Sequence, residues 1–216
     1  MVIASIEKVS LGCMKITTDA GPSFFIRDHY LKTIQPQLIV RGAVFADAAE
    51  QELIDAGFAF SAEVKATEYL SRAEQCRAAL VRKLTAKGCT RGAIDAALDY
   101  LEQTGALSDA RFSEAWLHAR NNGRAEGRSR LLRELLVRGI DRVTADAALD
   151  GFCAEHSEAE RCLRAGKKLL RSTRAGTYGV EKKIAQLVRL GFSYKLAEQT
   201  LGSIASDCGD GTPLTD

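Results

Sequence analysis

Cys153, His156 and Cys162 carry ligand atoms at a spacing that could begin a zinc site, but no fourth ligand stands at a familiar distance from them. The six cysteines (Cys13, Cys76, Cys89, Cys153, Cys162 and Cys208) include no CxxC pair, and four fall at helical apolar positions. They are expected to be reduced thiols that pack as small hydrophobes. The three histidines are scattered, and a lone candidate such as His118 reads as a surface or packing residue rather than a general base. No Ser/His/Asp set, no paired carboxylates and no phosphate-cradling glycine pattern stands out. The chain is therefore expected to hold no catalytic, cofactor or metal site and not to be an enzyme.

Charge is the remaining chemistry. The formal net charge of +2 hides an asymmetry. Residues 1–60 hold 5 basic and 7 acidic side chains, and 207–216 add three acids, while 61–206 carry 25 basic against 18 acidic. A basic centre between weakly acidic ends fits an acidic partner. Within that centre, residues 109–138 hold seven bases and four acids, and 157–190 hold nine bases and three acids. The candidate binding residues are Arg120, Arg124, Arg128, Arg130, Arg133, Lys167, Lys168, Arg171, Arg174, Lys182 and Lys183. Two of the connections, 121–129 and 172–179, set arginines beside glycines, which suits an irregular acidic surface or a phosphate backbone.

The elements that must position these charges follow from punctuation. No proline occurs between Pro36 and Pro213, which favours an all-helical centre. Before it, "VIASIEKVS" and "CMKITTD" alternate and "GPSFFIRDHYL" follows a Gly-Pro turn signal, so residues 1–45 read as a small antiparallel β unit. Residues 46–57 read as a short helix stopped by Gly57.

"KLTAKGCT", "LLVRGID" and "QLVRLGFS" then repeat one pattern, with Gly88, Gly139 and Gly191 51 and 52 residues apart. A glycine in the left-handed conformation just past a helix lets Leu84 meet Cys89, Leu135 meet Ile140 and Leu187 meet Phe192. Thr90, Asp141 and Ser193 then stand where the next helix needs an N-cap, with Ile94, Ala145 and Ala197 four residues on to receive a hydrophobic staple. A further helix precedes each pair. In the second copy its apolar face is expected to be Phe112, Trp116 and Ala119, with Trp116 in the core; in the third, Ala159, Leu163, Gly166 and Leu170.

The expected fold is mainly α: an elongated array of three tandem three-helix repeats preceded by a β-rich N-terminal unit. The expected boundaries are 1–60 for the β-rich unit with its short helix, 61–107, 108–156 and 157–206 for the repeats, and 207–216 for a disordered tail. No window has the apolar length to cross a bilayer, and the N-terminus lacks a basic start followed by a long apolar run, so a cytoplasmic location is expected. Sequence-specific DNA reading by the last helix of each unit is disfavoured. Asp95, Asp99 and Glu102 oppose Arg91 in the first, and Asp146 and Asp150 oppose Arg142 in the second.

"LSDARFSEAWLHAR" (107–120) followed by "RLLRELLVRGID" (130–141) resembles the central signature of the RecX regulatory proteins. Leu107, Asp109, Arg111, Phe112, Arg120, Glu134, Leu135, Gly139 and Ile140 are kept, while Ser113 stands where Ala is usual and Arg138 where Lys is usual. In the first unit Leu70, Ser71, Arg72, Leu80, Lys83, Leu84 and Gly88 are kept, but Gln75-Cys76 replaces Arg-Ser and Ala79 replaces Glu. The third unit matches through "LVRLGF", and the resemblance spans residues 61–204. It implies a non-enzymatic modulator that lies along the filament of RecA recombinase on DNA; the chain itself is expected to be a monomer. There it restrains ATPase, strand exchange and co-protease activity. The alternative is a protein that binds DNA directly through its basic helices.

Overall fold

A computed structural model describes residues 1–209 except Leu11 and 173–178; for Ser172 and 206–209 it describes the backbone only. Three antiparallel strands in the order β1-β2-β3 and nine α-helices are present among the described residues. Two compact units result, Met1–Ser108 and Asp109–Asp216.

The first unit opens on β1 (Ile3–Ser10), β2 (Cys13–Thr18) and β3 (Phe24–Arg27). Met14 lies opposite Ile26 and Ile16 opposite Ile6, and Ile3, Met14, Ile16 and Ile26 are all buried. Register shifts between Ile3 and Ser5 and between Lys8 and Ser10 interrupt the alternation of β1, so Val9, expected to continue it, is exposed. Two 3-10 turns, Asp28–Tyr30 and Pro36–Leu38, carry the chain to α1 (Asp47–Leu70).

Helix α1 differs from the expected short helix: it runs unbroken for 24 residues through Gly57. A Cβ on Gly57 would stand 2.9 Å from Cδ2 of Phe24, so this glycine permits close approach of helix and sheet rather than ending the helix. The first half of α1 buries Leu53, Ala56 and Ala59 against the sheet. Its second half places Ala62 against Ala93 and Ala97, and Ala66 in a core with Leu80, Leu84, Ile94, Leu98, Leu101 and Leu107. The boundary expected at 60–61 thus falls inside one helix shared by sheet and helices. Buried Glu63 ties them further, accepting from Arg27 Nε at 2.9 Å and Tyr30 Oη at 2.8 Å, with Arg27 stacked 4.7 Å over Tyr100. Helices α2 (Arg77–Ala86) and α3 (Arg91–Gln103) complete the unit.

The second unit comprises α4 (Asp109–Gly123), α5 (Arg128–Val137), α6 (Arg142–Glu155), α7 (Glu158–Ser172), α8 (Val180–Arg189) and α9 (Tyr194–Gly209). Residues 210–216, the rest of the expected tail, lie outside the described residues.

All three glycine turns have the geometry their sequence implies. Gly88, Gly139 and Gly191 have φ of 77°, 91° and 94°. Cys89, Ile140 and Phe192 donate their N–H back to Leu84, Leu135 and Leu187 at 3.1, 3.2 and 3.3 Å. The glycine N–H groups donate to Thr85, Leu136 and Val188, each at 2.9 Å, completing the Schellman pair of bonds. The next helix is capped each time: Thr90 accepts from Ala93 N–H, Asp141 from Thr144 N–H and Ser193 from Leu196 N–H. Ile94, Ala145 and Ala197 are buried behind the caps.

The preceding helices are rotated by about one position from their expected faces. Helix α4 buries Ser113 and Leu117, leaving Ala119 exposed and Trp116 half-buried between the guanidinium groups of Arg120 and Arg138, 5.2 and 4.6 Å from its ring. Ser113 is tolerated inside because its hydroxyl donates to the Asp109 carbonyl at 2.7 Å. Helix α7 buries Cys162, Ala165 and Gly166 instead of Ala159, Leu163 and Leu170. Small residues there let α9 approach: a Cβ on Gly166 would stand 3.0 Å from Ile204 Cδ1.

Candidate functional site

The eleven candidate cations separate by what their charges meet. Arg120 donates to Glu126 at 2.7 Å, and Arg130 Nε stands 2.9 Å from the other Glu126 oxygen as an ion pair without hydrogen-bond alignment. Glu126 is only 2% exposed, so these two arginines neutralise a carboxylate that burial would otherwise disfavour. Arg128, the first residue of α5, reaches Asp146 at 3.1 Å and Asp150 at 2.8 Å on α6. Its backbone N–H donates to Glu158 at 2.8 Å, joining α5 to the start of α7.

The same clasp occurs 51 residues earlier. Arg77, first in α2, pairs with Asp99 and Glu102 of α3, both at 2.7 Å. The acids of the third helices therefore serve intramolecular partners. In the third copy Val180 occupies the position of the clasp arginine, and it is 64% exposed.

Six of the other candidates face solvent. Arg124, Arg133, Lys167, Lys168 and Arg171 are exposed and form no ion pair among the described residues. Lys182 is exposed, Lys183 is half-buried, and Arg174 lies outside the described residues. Arg124 and Lys168 meet Arg130 and Arg164 around a cleft of about 550 Å³, floored by Ala165, Leu169 and Leu190 and flanked by Asn121 and Asn122. Arg164 donates to Asn121 at 2.5 Å, linking the last turn of α4 to α7. Arg164, Lys168 and Arg171 share one face of α7 at i, i+4 and i+7, a spacing that makes Arg164 a further candidate beside the eleven.

Arg161 is the converse case. Counted with the basic run, it is 2% exposed, donates to the carbonyls of Glu126 at 3.2 Å and His156 at 2.6 Å, and lies 4.8 Å from the Phe152 ring. It sits at the carbonyl end of α6, where a cation complements the helix dipole. Main chains meet nearby. A Cβ on Gly127 would come 2.2 Å from the Gly191 carbonyl, and one on Gly191 2.6 Å from the Arg130 nitrogen. Gly127 N–H donates to the Leu190 carbonyl at 2.9 Å, so the start of α5 is sealed against the α8 turn beside the cleft.

The Cys153, His156 and Cys162 set, disfavoured in the sequence as a zinc site, does not converge among the described residues. Cys153 accepts from Arg161, Cys162 is buried in the α7–α9 core, and burial pushes its thiol up. Cys13, Cys89, Cys153 and Cys162 are free thiols. No helix among the described residues is long and apolar enough to cross a membrane.

The second unit thus sets a positively charged cleft among its helices. The family model "RecX, first three-helix domain" matches residues 62–101, and "RecX, second three-helix domain" matches 108–149. A regulatory protein RecX from Thermobifida fusca is 35% identical over 134 residues, 59% of this chain and 70% of that relative. One from Treponema pallidum subsp. pallidum is 33% identical over 142 residues, 66% of this chain and 84% of the relative. A crystal structure of a regulatory protein RecX superposes with a TM-score of 0.72 at 21% identity, covering 93% of this chain and 98% of that one. The RecX structure from Lactobacillus salivarius gives 0.61 at 20% identity, covering 68% and 97%. The chain belongs to the RecX family of regulatory, non-enzymatic proteins.

Two departures from the family pattern are accommodated locally. Gln75, in place of Arg, accepts from Lys83 at 2.8 Å, and Lys83 also lies 4.7 Å over the Tyr69 ring. Arg138, in place of Lys, spans Glu134 at 2.8 Å and Trp116.

Proposed function

We propose that this protein binds the RecA–DNA filament in the bacterial cytoplasm and restrains its ATPase, strand exchange and co-protease activity. The observation that carries the proposal is the cleft where Arg124, Arg164 and Lys168 converge, continued along α7 by Lys167 and Arg171. Exposed cations with no internal carboxylate keep their full charge for an outside partner. Arg133, Lys182 and Lys183 extend the candidate surface, and Arg174 is kept as a candidate from the sequence alone; Arg120, Arg128 and Arg130 hold its scaffold.

The test is a RecA ATPase assay on single-stranded DNA titrated with the protein. Charge reversal at Lys167, Lys168, Arg171 and Arg174 to Glu is expected to weaken inhibition while leaving far-UV dichroism unchanged. Inhibition equal to wild type would remove this surface from the proposal.

Direct binding to DNA is the second reading, favoured by the same cluster of cations beside Asn121 and Asn122. It requires tight binding to naked DNA without RecA, with each phosphate contact adding about 0.7–0.9 to the slope of log affinity against log salt.

A further inference from the structure

The geometry points to a divalent transition-metal site formed by His118 on α4 and Glu155 and His156 at the end of α6. One ligand atom from each of these residues lies within 4.8 Å of the others. His118 Nδ1 and His156 Nε2 are 3.4 Å apart, and His118 Nε2 stands 3.6 Å from Glu155 Oε2. Ligands about 2.0–2.1 Å from a tetrahedral ion lie roughly 3.4 Å from one another, so the imidazoles already have the spacing of one coordination edge.

Two of the chain's three histidines reach this place from 38 residues apart in sequence. Phe152 orients both: its ring lies edge-on to His118 at 5.7 Å and tilted against His156 at 4.9 Å. Glu114, one helical turn before His118, lines a cavity of about 230 Å³ with His118, Phe152 and Glu155. It adds a second carboxylate to the wall beside His118. Two imidazoles and a carboxylate suit Zn²⁺, Co²⁺, Ni²⁺ or Cu²⁺ and not Mg²⁺, which demands oxygen ligands in an octahedron. An ion here would fasten α4 to the end of α6. It would also hold the His156 carbonyl that accepts from buried Arg161 at the entry to α7.

The experiment uses full-length, untagged, chelator-stripped protein and Co²⁺ as the probe, read by its visible absorption and by thermal melting. The expected result is one saturable site and a melting temperature that rises with Co²⁺ concentration. His118→Ala and His156→Ala should each weaken Co²⁺ by more than about tenfold, the smallest loss that removing even an outer partner causes. Glu155→Gln, the milder change on an exposed side chain, should weaken it in the same direction with an unchanged metal-free melt. Cys153→Ser and millimolar Mg²⁺ serve as controls that should, respectively, retain the Co²⁺ signal and produce no shift. Equal affinity in His118→Ala, loss of the signal in Cys153→Ser, or no saturable binding in wild type would each overturn the site.

Discussion

Gly88 and Gly191 share a left-handed backbone but differ in surroundings, which separates two costs of a side chain. Nothing lies within 4 Å of a Cβ on Gly88, whereas one on Gly191 meets Cβ of Arg130 at 2.5 Å. Gly88→Ala is expected to cost about 1–2 kcal/mol of conformational strain alone. Gly191→Ala should cost clearly more, because main chain must move as well; equal denaturation midpoints would refute that. Glu52 supplies a pH test. Burial pushes its carboxyl up, but hydrogen bonds from the Thr33 hydroxyl and the N–H groups of Lys32, Thr33 and Ile34 outweigh it and hold the group down to about 2. A folded value below the unfolded one (about 4.3) stabilises the protein above that unfolded value, and the benefit is lost as pH falls toward 2. Glu52→Gln should therefore lower the melting temperature at pH 7, and the gap to wild type should narrow between about pH 4 and pH 2. The glycine turns are legible in sequence because few residues substitute for glycine at positive φ. The burial of Arg161 is not, because its acceptors are carbonyls, and sequence does not mark which carbonyls are orphaned.

At the scale of elements, caps and stops are local and so can be read from seven or eight consecutive residues, as at Thr90, Asp141 and Ser193. Faces are set by distant partners. Gly57 resembles a helix stop until Phe24, 33 positions earlier, shows why no side chain fits. The buried stripe of α4 runs through Ser113, which a hydropathy pattern assigns to solvent. Likewise the clasp arginine Arg128 looks like a member of a basic run until its acids on the next helix are placed. Arg161→Met is the sharpest test of element packing. It removes the donors to the Glu126 and His156 carbonyls and is expected to destabilise the second unit by about 1–3 kcal/mol, measured by denaturant unfolding. No loss of stability would show that those carbonyls find other partners.

For the whole chain, the shared helix α1 decides where it can be cut. A fragment of residues 1–108 contains the sheet, all of α1 and the helices packed on it, so it is expected to unfold in one cooperative transition. A cut at 60–61 severs α1, and a 61–108 fragment should show reduced helicity and no cooperative melt by circular dichroism. Comparable melts for both fragments would mean the sheet contributes nothing to the helices behind it. The seam between Gly127 and Gly191 matters in another way. Side chains around the cleft can swap or drift, but the gap between its walls is gauged by two peptide backbones in contact, which no rotamer can widen. That side of the cleft is a fixed caliper, so substitutions that change the charges around it leave the spacing of its jaw as it is.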